Sequence, residues 1–181
     1  MSHVVEENVS EPISPVAAFL PWIALPLGII VLDQLLKVLI VMWIGPDAAR
    51  HRVDVIGSAI GFEYVENTGA AFGIMTSATS ALAGVSLLIA GGGIYMLWRE
   101  HRRDTLATLA IGMVVGGALG NVIDRLYRGY VVDFVAVGSF PRFNVADSAI
   151  TIGVLLLLGA MARENRQQQP RKNEGIGPTD G

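Results

Sequence analysis

Between Gly120 and Ile150 the chain reads GNVIDRLYRGYVVDFVAVGSFPRFNVADSAI, with three aspartates and two asparagines set among apolar residues. Asn121 stands three residues before Asp124, and Asn144 three before Asp147. On a helix each pair shares a face, one turn apart. Two carboxylates held close in a dry site keep one proton between them at moderate pH, because like charges oppose double ionisation. The ionised partner then takes a proton from water, the water attacks a carbonyl, and the protonated partner donates to the carbonyl oxygen or leaving amine. That is the chemistry of the aspartic proteases, and it needs neither metal nor histidine. His3, His51 and His101 all fall in tails or loops, and there is no cysteine and no HExxH motif. A thiol nucleophile, a disulfide and a thiolate metal site are therefore excluded, and a Ser-His pair has only His51 to draw on.

The surroundings of these carboxylates are those of a membrane protein. Of 181 residues, 52% are hydrophobic and 16% charged, against about a quarter charged in soluble domains. The mean hydropathy is +0.52. The net charge of −3 argues against nucleic acid as a partner. The start, MSHVVEENVSEP, holds three glutamates and no Lys or Arg, unlike a signal peptide, so the first apolar run is expected to be retained. Residues 1–15 read as a polar tail. Four spans follow: 16–44, 77–98, 105–123 and 143–162, each near the 20 residues needed to cross a bilayer. Between the first two, RVDVIG and GFEYVE alternate like short strands, which predicts a small extramembrane sheet over about 45–66. NTGAAFGIM reads as a lead-in loop to the second span. Residues 128–142 are apolar but too short to cross, and suggest an interfacial or re-entrant piece. The polar stretch 163–181 reads as a disordered tail. The expected fold is thus mainly α, a single membrane domain over 16–162.

Four spans put both termini on one side. The 99–103 turn and the C-terminal tail then hold seven Lys/Arg, against Arg50, Arg52, Arg125, Arg128 and Arg142 opposite. The positive-inside rule places the termini in the cytoplasm, and the aspartate-rich stretch then faces outward. Gly112, Gly116, Gly120 and Asp124 form one helical stripe that lets a neighbour approach closely. Asn121 and Arg125 share its broad face. Asp124 is either the polar cap of a helix end or a reacting group. Asp147, about 6 Å inside a span that starts at Phe143, is either an N-terminal capping carboxylate or a functional intramembrane acid. Asp133, in YVVDFVAV, either points outward from an interfacial strand or sits in a pocket. Asp33 and Lys37 form an (i, i+4) pair that reads as structural. Asn67 caps a helix or offers its amide to a substrate backbone, and the Gly69/Gly73 spacing lets chains pass closely either way. A small transporter with a carboxylate relay remains a rival on these features alone. A metal-dependent head-group transferase would need a DxxDG-like motif, which is missing.

In order along the four spans stand DQLLK (33–37), NTGAAFG (67–73), GGALGNVIDR (116–125), VVDF (131–134) and FNVADSAI (143–150). With this series the chain resembles bacterial lipoprotein signal peptidase, also called signal peptidase II, over nearly everything from Trp22 to Ala160. The resemblance implies an intramembrane aspartyl peptidase without cofactor or metal. Its substrate would be a prolipoprotein whose cysteine carries diacylglycerol, met in the bacterial inner membrane. It implies that Asp133 and Asp147 are the catalytic pair. Asn121, Asp124, Arg125 and Asn144 would support them, Asn67 and Gly69 would meet the substrate backbone, and Asp33 and Lys37 would serve the fold. The connection between the paired aspartates, residues 134–146, is short.

Overall fold

The structure is a computed structural model that describes residues 15–48, 51–69, 76–100 and 104–173, with backbone alone for 15–21, 76–78, 100 and 167–173. It contains helices α1 (Pro15–Ile44), α2 (Thr76–Glu100), α3 (Thr105–Tyr127) and α4 (Val145–Asn173). Strands β1 (Arg52–Ile56) and β2 (Ile60–Asn67) lie between α1 and α2, and β3 (Val131–Val137) lies between α3 and α4. Within the helices, Trp22–Ile44, Thr79–Arg99, Thr105–Tyr127 and Val145–Arg166 are long and apolar enough to cross a bilayer. The chain is a multi-pass membrane protein. Its large exposed side chains, such as Leu27, Val31, Leu88 and Leu155, form the surface that lipid covers.

The central helix is α3, which packs against each of the other three. In its most apolar stretch 61% of the residues are buried, against 17–22% in theirs. Glycine makes this possible. A side chain at Gly116 would run into the backbone of Pro26 on α1, and one at Gly120 into the Asp33 carboxylate. At Gly117, on the adjoining face, it would meet the Ala146 carbonyl of α4. The expected stripe is therefore the seam with α1, and Gly117 opens a second seam with α4. Asp104 caps the start of α3, its carboxylate accepting from Leu106 N–H at 2.8 Å.

The sheet sits where α1 and α3 end and α2 and α4 begin. Its strand order is β1-β2-β3, all antiparallel. The expected 45–66 region supplies β1 and β2, a hairpin turning at Gly57 with φ +50. The third strand corrects the sequence reading. Residues 131–137, within the stretch expected to be interfacial or re-entrant, pair with β2 from Asn67↔Val131 to Ile60↔Val137. Val131 to Phe134 are all buried, so both faces are covered and the alternation that marks a half-exposed strand is missing. Val132 and Phe134 pack with Ile40 and Ile44 of α1. Alternation turns Asp133, between them, the other way.

Two further boundaries move. The last helix starts at Val145 rather than Phe143, because the Phe143 carbonyl accepts from Phe134 and Val135 N–H of β3. Asp147 is thus in the first turn, shallower than expected. That helix also runs on through Asn173, so 163–173 are helical where a disordered tail was expected. Residues 1–14 and 174–181 of the expected tails, and 70–75 of the lead-in loop, lie outside the described residues.

The glycine seams predict a contrast. Gly117→Ala forces a methyl group onto the α4 backbone and lowers stability by about 1–3 kcal/mol in detergent unfolding. Gly28→Ala, which meets nothing within 4 Å, stays within about 0.5 kcal/mol of the parent. Equal losses in both would show that close α3–α4 approach does not limit stability.

Candidate active site

Three asparagines organise the carboxylates at the sheet end of the bundle. Asn144 directly precedes α4. Its Oδ1 accepts from Asp147 N–H at 2.9 Å, and its own N–H donates to Asp147 Oδ2 at 3.2 Å. This reciprocal pair is a capping box, with Asn and Asp in place of the commoner Ser and Glu. Asp147 is therefore a capping carboxylate, as one sequence reading had it, but only one of its oxygens serves the cap. The other, Oδ1, accepts from Asn121 Nδ2 at 2.8 Å.

Asn144 also reaches Asp133. Its Nδ2 donates to Asp133 Oδ1 at 2.7 Å, and the same amide lies 3.2 Å from Asn121 Oδ1 and 3.3 Å from the Val132 carbonyl. The second oxygen of Asp133 accepts from Asn67 Nδ2 at 2.8 Å, while Asn67 Oδ1 holds Gly69 N–H at 2.8 Å. Asp133 and Asp147, on different elements, are thus both hydrogen-bonded to one fully buried asparagine. Asp133 borders a cleft of about 340 Å³ whose walls include Asn67, Thr68, Gly69 and Arg142. It is only 2% exposed. Burial pushes its carboxyl up to about 6; the Asn67 hydrogen bond pulls it back, and the charge of Asp147 pushes it up again.

Asp124, the third aspartate, has a different setting. It is wholly buried, and its Oδ2 lies 2.8 Å from Lys37 Nζ. It also pairs with Arg128, four residues on at the C-cap of α3. Lys37 in turn lies 2.7 Å from Asp33 and 3.0 Å from Asn121 Oδ1. The Asp33–Lys37 pair is thus part of a larger cluster, completed by Gln34, which donates to Asp124 at 3.2 Å. No buried side-chain nitrogen or oxygen of this cluster lacks a partner. Arg125 is half-buried beside the Asp147 and Asp133 charges, with Ser86 of α2 at 3.4 Å.

The structure therefore gathers Asn67, Gly69, Asn121, Arg125, Asp133, Asn144 and Asp147 at one end of the bundle. Asp124, Asp33 and Lys37 form the buried cluster beneath them. Sequence reasoning missed Gln34, Arg128 and Arg142. Arg128 carried a signal, its (i, i+4) spacing from Asp124. Arg142 carried none: it holds Glu63 of β2 at 2.6 Å across the fold and lowers the Glu63 pKa. Among the described residues no group of His, Cys, Asp and Glu is arranged to hold a metal ion.

The family model described as "Signal peptidase (SPase) II" matches residues 25–163. A lipoprotein signal peptidase of Shouchella clausii is 42% identical over 144 residues, 78% of this chain and 92% of that protein. One from Burkholderia ambifaria is 39% identical over 164 residues, covering 84% and 92%. A solved structure described as a bacterial membrane enzyme superposes with a TM-score of 0.69 at 30% identity, over 78% of this chain and 92% of that one.

The asparagine bridge makes a prediction about folding. Asn144→Asp keeps the oxygen that caps α4 but faces Asp133 with a third carboxylate. A charge at residue 144 raises the Asp133 pKa further in the folded state, so stability is lost as pH rises through that raised value. The unfolding temperature of Asn144→Asp, compared with the parent in detergent, should fall further behind at pH 8 than at pH 5. A deficit independent of pH would mean that residue 144 does not lie against an ionisable carboxyl.

Proposed function

The chain belongs to the signal peptidase II family and is a membrane endopeptidase, and we propose that Asp133 and Asp147 are its catalytic pair. The observation that carries this reading is that one residue, Asn144, reaches both carboxylates: its side-chain Nδ2 donates to Asp133 Oδ1 and its backbone N–H to Asp147 Oδ2. Asn144 is buried and neutral, so it links the two carboxyls without supplying a counter-charge. The pair therefore holds one proton rather than none.

In the reaction, the ionised acid takes a proton from water as the water oxygen bonds to the scissile carbonyl carbon. The other acid gives its proton to the nitrogen of the leaving amine as the C–N bond breaks. One product ends in a new carboxylate and the other begins with a free amine. Asn67 and Gly69 line the cleft and meet the substrate backbone. Asn121 and Asn144 orient the acids, and Arg125 adds positive charge beside them. Asp124 works with Asp33 and Lys37 in the cluster beneath.

The substrate is a prolipoprotein whose cysteine carries diacylglycerol, cut just before that cysteine. A lipid anchor in the outer leaflet puts the scissile bond near the membrane surface. Asp147 is in the first turn of α4, and Asp133 is on the sheet at the same end of the bundle. In the inner membrane the charge bias of the loops sets both termini in the cytoplasm and the sheet outside.

Purified protein in detergent, given a diacylglyceryl-modified prolipoprotein, is expected to release the signal peptide in the presence of EDTA. Asp133→Asn and Asp147→Asn each fold and lose at least 10³-fold in rate. Cleavage that survives in both variants would remove the pair from the mechanism, and ion flux without cleavage would favour a transporter. The raised Asp133 pKa adds a pH profile. The reaction needs the shared proton, so kcat/KM declines as pH rises above about 6. Asn67 bonds the ionised form and holds that pKa down. Asn67→Ala therefore moves the alkaline limb to higher pH; a limb that stays or moves down contradicts the assignment.

A further inference from the structure

Each proton of the Lys37 ammonium leads, through one more group, to the aspartate pair. The first goes to Asp33 Oδ2 at 2.7 Å. Asp33 Oδ1 accepts from the backbone N–H of Ala146 at 2.9 Å, the residue directly before Asp147. The second goes to Asp124 Oδ2 at 2.8 Å. That oxygen accepts from the backbone N–H of Val132 at 3.1 Å, the residue directly before Asp133. The third goes to Asn121 Oδ1 at 3.0 Å. This fixes which way the Asn121 amide faces, so its Nδ2 donates to Asp147 Oδ1. An ammonium has three donors, and all three are used in this way.

An ion pair that only held helices together would have no reason to end on the peptide groups beside both acids. We propose that Lys37 is a positioning residue for the reaction: by holding Asp33 and Asp124 at fixed distance, it sets the separation and orientation of Asp133 and Asp147. The inference rests on those two being the reacting pair. It extends the role of Lys37 from support of the fold to the geometry of the reaction.

Lys37, Asp33 and Asp124 are all fully buried. Removing the lysine alone leaves the buried Asp33 carboxylate without a counter-charge, so Lys37→Met is expected to fold poorly. Replacing a buried pair by apolar residues of similar volume is often neutral or stabilising. The double variant Asp33→Leu/Lys37→Met therefore separates the two roles, since Asp124 keeps Arg128 as its partner. The measurements are the unfolding temperature in detergent and kcat and KM for the diacylglyceryl-modified prolipoprotein.

The expected double variant is folded, with KM within twofold of the parent and kcat lower by about 100-fold, the cost of a misplacement near 1 Å. Parental kcat in the folded double variant would overturn the proposal. Asp33→Asn supplies a second reading if the double variant does not fold. Its amide still accepts from Ala146 N–H but turns donors toward Lys37, so kcat falls at least tenfold at constant KM. Unchanged kcat in folded Asp33→Asn overturns the proposal equally. A parent enzyme that fails to cleave this substrate would instead refute the peptidase assignment on which the inference rests.

Discussion

Everything at the sheet end of this bundle depends on the burial of one ammonium between two carboxylates. Lys37, Asp33 and Asp124 have no exposed surface, and the spans around them are apolar. Charges there survive only if paired and fully hydrogen-bonded. The surrounding geometry follows from that demand. Gly120 must lack a side chain because the Asp33 carboxylate occupies its space. Gln34 must turn its amide toward Asp124 and the Gly120 carbonyl. Arg128 supplies the second positive charge that balances the second aspartate. The cluster ties α1 to α3 and, through peptide N–H groups, to β3 and α4.

Above this charged layer lies an amide layer. Asn67, Asn121 and Asn144 each donate to an aspartate of the pair. The two layers solve different problems. Ion pairing would lock the acids in their ionised form, which suits a structural cluster. Amides orient a carboxyl while leaving its proton free to come and go, which suits acid–base work. The division explains why Asp124, although it lies on the same helix face as Asn121, differs in chemistry from Asp133. It faces two cations, whereas Asp133 faces two amides and a cleft.

Much of this architecture is written in local pattern. Long apolar runs mark the four helices, and the four-residue glycine spacing marks the seam on which α1 rests. The hairpin of β1 and β2 shows in its alternation. What local pattern misses is decided by distant partners. The third strand looks like a membrane-surface segment because both its faces are covered, one of them by Ile40 and Ile44. The start of α4 moves two residues because the Phe143 carbonyl is taken by β3. The Asp33–Lys37 spacing announces a pair, but not that Asp124 joins it from 87 positions on, since Lys37 reaches both. Spacing alone likewise leaves Asp124 equal to Asp133 as a candidate acid. The motif series separates them, and the burial of Asp124 between Lys37 and Arg128 gives that choice a physical basis.

Asp133 and Asp147 are proposed to share one proton, and infrared titration of the protonated carboxyl band reads this directly. In the parent enzyme one band is expected to disappear with a midpoint near pH 6, where burial and the neighbouring charge set Asp133. Asp133→Asn abolishes it. Asp147→Asn moves its midpoint to lower pH, because the charge that opposes ionisation is gone. A band whose midpoint is indifferent to Asp147→Asn would mean that the acids do not interact, and would contradict the account.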